Sequence, residues 1–251
     1  MSNQSLDVNW AIEEEAGDDN GYTALHQASL RNCDTIAAIL LAHPAIDVNQ
    51  QNAAGESPFF LACFMGSTSC VRLLLKDSRV DVNIPGNSGC HPFQNPAMQG
   101  YGETIKWYIA SGREINQDEV EDVLSDAIAI ATENGEAEVT TLLEKFKENP
   151  EDVRHRMRME LGWYDEAAAE VLALVVFASD GFLEIKGVAT TNVTRYFGIA
   201  RQLPLELQMV LCYHAVGLPS KDVIPGKKRE VAFKDLANRL CWASFLAPAA
   251  S

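Results

Sequence analysis

Five histidines and six cysteines carry the most reactive side chains of this 251-residue sequence, and their spacing argues against catalysis. Cys212-Tyr213-His214 sets a thiol and an imidazole two apart, and on a helix that puts them on different faces. They cannot work as nucleophile and base. Cys90-His91 falls in a predicted turn with no aspartate or asparagine to orient the ring. Cys33, Cys63, Cys70, Cys90, Cys212 and Cys241 form no CxxC pair, so zinc spacing is absent and reduced thiols are expected. The carboxylates of Glu114, Asp118, Glu119, Glu121, Asp122 and Asp126 lack the alternating order of a calcium loop. They read as a solvated acidic turn. No phosphate-binding loop, nucleophile elbow or HExxH helix occurs. The expectation is a protein with no catalytic residue, no metal and no cofactor, hence not an enzyme.

Charge speaks more clearly. The net charge is −15. Residues 1–150 hold 23 acids and 8 bases, while 151–251 hold 12 of each, so the imbalance lies on the first part. Such a surface repels nucleic acid and anionic membranes and favours a protein partner with a basic surface. The other reading is that the acids only keep the protein soluble. The longest strongly apolar run, Val171 to Ala178, is far shorter than the ~20 residues that span a bilayer. MSNQSLDVNW at the N-terminus lacks the order of a secretory signal. A cytoplasmic location is expected, with the nucleus as the alternative.

The elements that position these residues follow a period of 34. GYTALHQASLRN at Gly21, GESPFFLACFMG at Gly55 and GCHPFQNPAMQG at Gly89 align without a gap, and the first two units close on Ile46-Asp47-Val48-Asn49 and Val80-Asp81-Val82-Asn83. A fixed period of this size means stacked units that bury their apolar faces against neighbours. Each unit opens on a glycine suited to a tight turn with positive φ. Thr23 and Ser57 can then cap a short helix, and Pro58 and Pro92 suit a first helical turn. A break follows at Asn32, Gly66 and Gly100. The second helices carry apolar residues at 3–4 spacing: Ile36, Ile39 and Leu40; Cys70, Leu73 and Leu74; Ile105, Tyr108 and Ile109.

This pattern resembles the ankyrin repeat. Unit one keeps Gly21, Thr23, Leu25, His26, Ala28 and the Asp-Val-Asn turn. Unit two keeps Gly55, Pro58, Ala62, Gly66, Leu74 and Leu75. Unit three keeps Gly89, Pro92 and Gly100 but carries His91, Gln94 and Pro96 at motif positions, so an irregular helix is expected there. A worn fourth unit fits Ala131, Gly135, Val139, Leu142 and Leu143, and Leu6-Asp7-Val8-Asn9 resembles the end of a unit whose helices are missing. The expected organisation is an acidic segment 1–18, repeats at 19–52, 53–86, 87–120 and a degenerate 121–147, and a helical domain over 148–251. The expected fold class is all-α: a short ankyrin-type solenoid of about three to four helix pairs followed by a small helical bundle. The resemblance implies a non-catalytic scaffold or adaptor that holds a protein partner along the turn tips and concave face. The residues it points to are Tyr22, Leu30, Arg31, Glu56, Phe64, Met65, Cys90, Met98 and Gln99. Leu30, Phe64 and Met98 lie 34 apart and should form an exposed apolar stripe; the other reading is that the chain's own tail covers it.

Beyond Asn149-Pro150 longer helical patterns take over, near 151–161, 165–178, 190–202, 204–216 and 228–241. The run around Val171–Phe177 is apolar nearly all round and should be the centre of a bundle that packs on the last repeat. Leu203, Pro204, Leu205 and Leu207 are similar to the start of an F-box, which implies as an alternative a substrate receptor joined to a cullin-type ubiquitin-ligase linker. The other reading of this tail is a helical cap of unassigned role.

Overall fold

The computed structural model describes residues 7–12, 21–116, 120–179, 200, 208, 212–213 and 215–216. Its described elements are helices, α1 (Ala24–Leu30), α2 (Asp34–Leu41), α3 (Pro58–Phe64), α4 (Thr68–Lys76), α5 (Gln94–Met98), α6 (Gly102–Ser111), α7 (Val120–Glu133), α8 (Ala137–Glu148), α9 (Pro150–Glu160) and α10 (Trp163–Ser179). The chain divides into two compact units between Leu161 and Gly162. In the first, the odd-numbered helices from α1 to α7 pack in one row and the even-numbered helices from α2 to α8 in another. The fold is all-α, and the helix pairs are stacked.

Local chemistry explains each pair. Gly21, Gly55 and Gly89 all have φ between +71° and +80°, a region where other residues are strained. Thr23 closes a capping box on α1, its hydroxyl accepting from His26 N–H, and Ser57 caps α3 through Phe60 N–H. The breaks between the two helices of each pair fall on Asn32, Gly66, Gly100 and Gly135, all at positive φ. Unit three is irregular as expected: with Pro96 inside it, α5 spans five residues against seven in α1 and α3. His91 stands where threonine and serine cap the earlier helices, and its Nδ1 accepts from Phe93 N–H instead.

Neighbouring units are laced by an asparagine ladder. Asn49 Nδ2 donates to Arg79 C=O at 2.8 Å while Asn49 Oδ1 accepts from Asp81 N–H at 2.8 Å. Asn9 makes the same pair with Ala45 C=O and Asp47 N–H, at 2.8 and 2.7 Å, and Asn83 donates to Glu114 C=O at 3.2 Å. Asp7, Asp47 and Asp81 each accept from the amide two residues on, an Asx turn that pre-shapes the loop. The Asp7–Asn9 segment therefore docks on unit one in the way the closing turn of one unit docks on the next. Ile12 then accepts from Gly21 N–H at 2.7 Å and donates to Tyr22 C=O at 3.0 Å, and the isolated bridge between Ala11 and Thr23 lies beside them. This hairpin base matches that of unit two, where Asn52 holds Gly55 and Glu56 in the same way.

Ile36 and Ile39 do not pack: they are 52% and 57% exposed, and Ala37 is the buried residue of α2. Among the described residues no helix pair precedes α1 and α2 to cover that face. The helix expected at 151–161 forms as α9, but it packs on α6 and α8 and so lies within the first compact unit, beyond the expected boundary at 147. Arg158 Nε donates to Ala110 C=O near the end of α6, and Lys106 binds Glu160 at 2.7 Å. A cation at a helix C-terminus opposes the negative end of its dipole.

In the second unit α10 carries Tyr164, Ala168 and Leu172 into a cluster with Ala200, Cys212 and Tyr213, flanked by Trp163, Val171 and Val216. Tyr213 Oη donates to Asp165 Oδ1 at 2.5 Å. The patterns at 190–202 and 204–216 fall largely, and that at 228–241 wholly, outside the described residues.

Candidate protein-binding surface

The expected stripe comes from one structural position repeated. Leu30, Phe64 and Met98 are the last residues of α1, α3 and α5, and Arg31, Met65 and Gln99 are the C-caps that follow. Because α3 packs between α1 and α5, these helix ends form a row. Its exposure is uneven. Phe64 and Met65 are 40% and 44% exposed, Arg31 and Gln99 are exposed, and Leu30 and Met98 are half-buried. Apolar character is thus concentrated at the middle unit.

The sequence reading missed Tyr101. This residue is the N-cap of α6, 34 beyond Ser67 at the same place in α4. Its ring lies over Gly66, so close that a Cβ there would sit 2.6 Å from a ring carbon. Tyr101 is exposed and extends the Phe64-Met65 patch across the helix break into the next unit. The period of 34 applied to N-caps would have found it. Its packing on a glycine is visible only in three dimensions.

The hairpin residues have divided duties. Tyr22, Glu56 and Cys90 each follow the glycine of a hairpin and are half-buried. Glu56 Oε2 accepts from Asn52 Nδ2 at 2.8 Å, and its C=O lies 3.1 Å from His26 Nε2, so this residue holds units one and two together. Cys90 Sγ lies 3.4 Å from Asn95 Oδ1, and burial pushes its thiol pKa upward. Tyr22 stacks at a tilt on His26, with ring centroids 5.6 Å apart.

His26 is a tie between units. Its Nδ1 accepts from Thr23 N–H at 3.0 Å, which leaves Nε2–H to donate to Glu56 C=O. Burial holds its pKa below the ordinary imidazole value, the carbonyl contacts and Asp47 opposing in part. Cys63 and Cys70 face the same core, and desolvation raises both thiols, Cys70 to about 11. Thiols held protonated in this way are poor nucleophiles. No group of three or more His, Cys, Asp or Glu among the described residues could hold a metal ion, and no described helix is long and apolar enough to cross a membrane. Leu203, Pro204, Leu205 and Leu207 lie outside the described residues, as do Asp118 and Glu119 of the acidic turn.

Comparison with known proteins bears on the same region. Residues 25–75 match the family model for ankyrin repeats (many copies). SMC5-SMC6 complex localization factor protein 1 from Bos taurus and from Homo sapiens are each 33% identical over 93 residues, which is 37% of this chain and 9% of theirs. The protein of the same name from Mus musculus is 41% identical over 56 residues, 22% of this chain and 5% of its own length. The chain spans less than a tenth of these relatives. What they share with it is a segment of 56 to 93 residues, and protein–protein interaction is the role such stacked surfaces serve. Residues 25–75 are thus similar to ankyrin repeats, and the helix pairs that follow them stack in the same two rows.

Proposed function

We propose that the protein is a non-catalytic adaptor that holds a protein partner on the row of inner-helix ends and hairpin tips. The observation that carries this is the exposure of Phe64, Met65 and Tyr101 in the middle of the stack, with the Tyr101 ring over Gly66, the residue after Met65. Large apolar side chains cost free energy in water, and a patch rimmed by polar residues is the usual mark of an interaction site. Methionine adapts its shape and aromatics supply contact area. The acid excess of residues 1–150 favours a partner with a basic surface, captured faster at low salt. The relatives are named for localizing the SMC5-SMC6 complex, which supports an adaptor role for the segment they share with this chain. The alternative, a ubiquitin-ligase substrate receptor, rests on Leu203, Pro204, Leu205 and Leu207 alone.

The test is affinity capture with the full chain and its Phe64→Ser/Met65→Ser variant at 50 and 300 mM salt, quantified by mass spectrometry. The reading requires a set of proteins, enriched in basic surfaces, that the native chain retains and the variant loses, with thermal unfolding still cooperative. Equal retention by both chains refutes it. A Skp-type linker in the retained set of both would favour the alternative.

A further inference from the structure

A cavity of about 390 Å³ opens beside the turn after α6, between α6, α7, α8 and α9. Its volume falls in the ~300–1,000 Å³ range of small-molecule sites. The apolar lining comes from Phe93, Tyr108, Ile109, Leu124 and Phe146, of which the first four are buried. Arg113, Lys147 and Arg154 bring three cations to it, against Glu114 and Glu121. Three cationic side chains are thus gathered at one place on a sequence whose first 150 residues carry 23 acids and 8 bases.

The cations are not equivalent. Arg113 donates to Val80 C=O, and Lys147 Nζ lies 2.9 Å from Ser125 Oγ. Arg154 pairs through Nη1 with the exposed Glu151, but its buried Nε has no protein partner. Tyr108 Oη is likewise buried without a partner, and burial keeps the phenol protonated and so a donor. Among the described residues four buried side-chain polar atoms lack a partner, and two of them belong to residues lining this one cavity. A buried donor left unmatched is unfavourable, and both of these residues belong to the lining of this cavity.

We propose that this cavity binds a small amphipathic carboxylate, with its apolar tail against Phe93, Ile109, Leu124 and Phe146 and its head group at Arg154. A carboxylate offers lone pairs in the plane that a guanidinium fork matches, and the apolar wall takes an aliphatic chain. The site lies in the last repeats, away from the Phe64-Met65 patch, and does not depend on that patch binding anything.

Titration calorimetry of the full chain with octanoate tests this, with octanol and octylamine as controls of equal tail length. The expected result is saturable binding of one octanoate per chain, at least tenfold tighter than either control. Arg154→Met should reduce octanoate to the level of octanol, and Leu124→Trp should remove binding of all three. Should either variant fail to unfold cooperatively, methyl chemical shifts of the native chain decide: octanoate should move Ile109, Ile115 and Leu124 and leave Met65 unmoved. Absence of saturable binding, equal affinity for the three probes, full affinity in Arg154→Met, or shifts scattered over the surface would each overturn the proposal.

Discussion

Asn49→Ala would test whether the units are held in register by the asparagine ladder or by apolar packing alone. The substitution removes two hydrogen bonds between units one and two, the 2.8 Å donation to Arg79 C=O and the 2.8 Å acceptance from Asp81 N–H. A typical bond contributes ~0.5–1.5 kcal/mol net, and the solvent-accessible position lets water replace part of each. The expected loss is about 1–2.5 kcal/mol. For a unit of this size, ~2–4 °C per kcal/mol makes that a fall in Tm of about 2–10 °C. Because a repeat stack is stabilised by terms within units and between neighbours, weakening one junction should also lower the urea m-value as unit one frays separately. Asn9→Ala, which removes the equivalent pair at the Asp7–Ile12 segment, should cost less, since only six described residues hang on it. Urea unfolding followed by far-UV circular dichroism measures both. A loss below about 0.5 kcal/mol with an unchanged m-value for Asn49→Ala would refute the ladder as a stabilising device.

The remaining predictions concern His26 and Gly66. His26 is held neutral by burial, with its folded pKa below the unfolded 6.5, so the unfolded chain takes up a proton that the folded chain refuses. Its stabilising effect is complete above pH 6.5 and is lost as pH falls toward the folded pKa, at up to ~1.4 kcal/mol per pH unit. Urea midpoints at pH 7.5, 6.5 and 5.5 should fall more steeply for the native chain than for His26→Gln; parallel slopes would refute the assignment. Gly66→Ala places a Cβ at φ +64° and 2.6 Å from the Tyr101 ring, where the left-handed backbone alone costs ~1–2 kcal/mol. Combining it with Tyr101→Ala should recover the steric part, and a purely additive double mutant would refute that contact.

Much of the solenoid was legible in one dimension because its signals are local. Positive-φ glycines, capping hydroxyls and the 34-residue spacing are fixed by residues within a few positions of one another, and the hairpins, caps and breaks form where they point. Pro96 announced the short α5 in the same way. Burial was less legible. Ile36 occupies the repeat position of Cys70 and Thr104, yet Ile36 is exposed and those two are buried, because periodicity names a face without saying whether a neighbour covers it. The stripe shows the same limit: three apolar residues 34 apart are equivalent in sequence, but Leu30 and Met98 are half-buried and Phe64 is exposed. The Glu56 carboxylate bonds Asn52 within its own hairpin, while its backbone C=O takes His26 Nε2 of α1, a pairing that spacing along the chain does not announce.

Sequence alone determined that this is a stack, how long each brick is, where each turn falls and that its first part is strongly acidic, since all of these depend on neighbours along the chain. Tertiary structure decided which side chains remain in water, that Tyr101 rests on Gly66 and adjoins the Phe64-Met65 patch, that α9 closes on α6 and α8, and that a cavity with Arg154 and Tyr108 in its lining opens there. Most of those features join residues distant along the chain, and a distance in space between such residues exists only after the helices have packed.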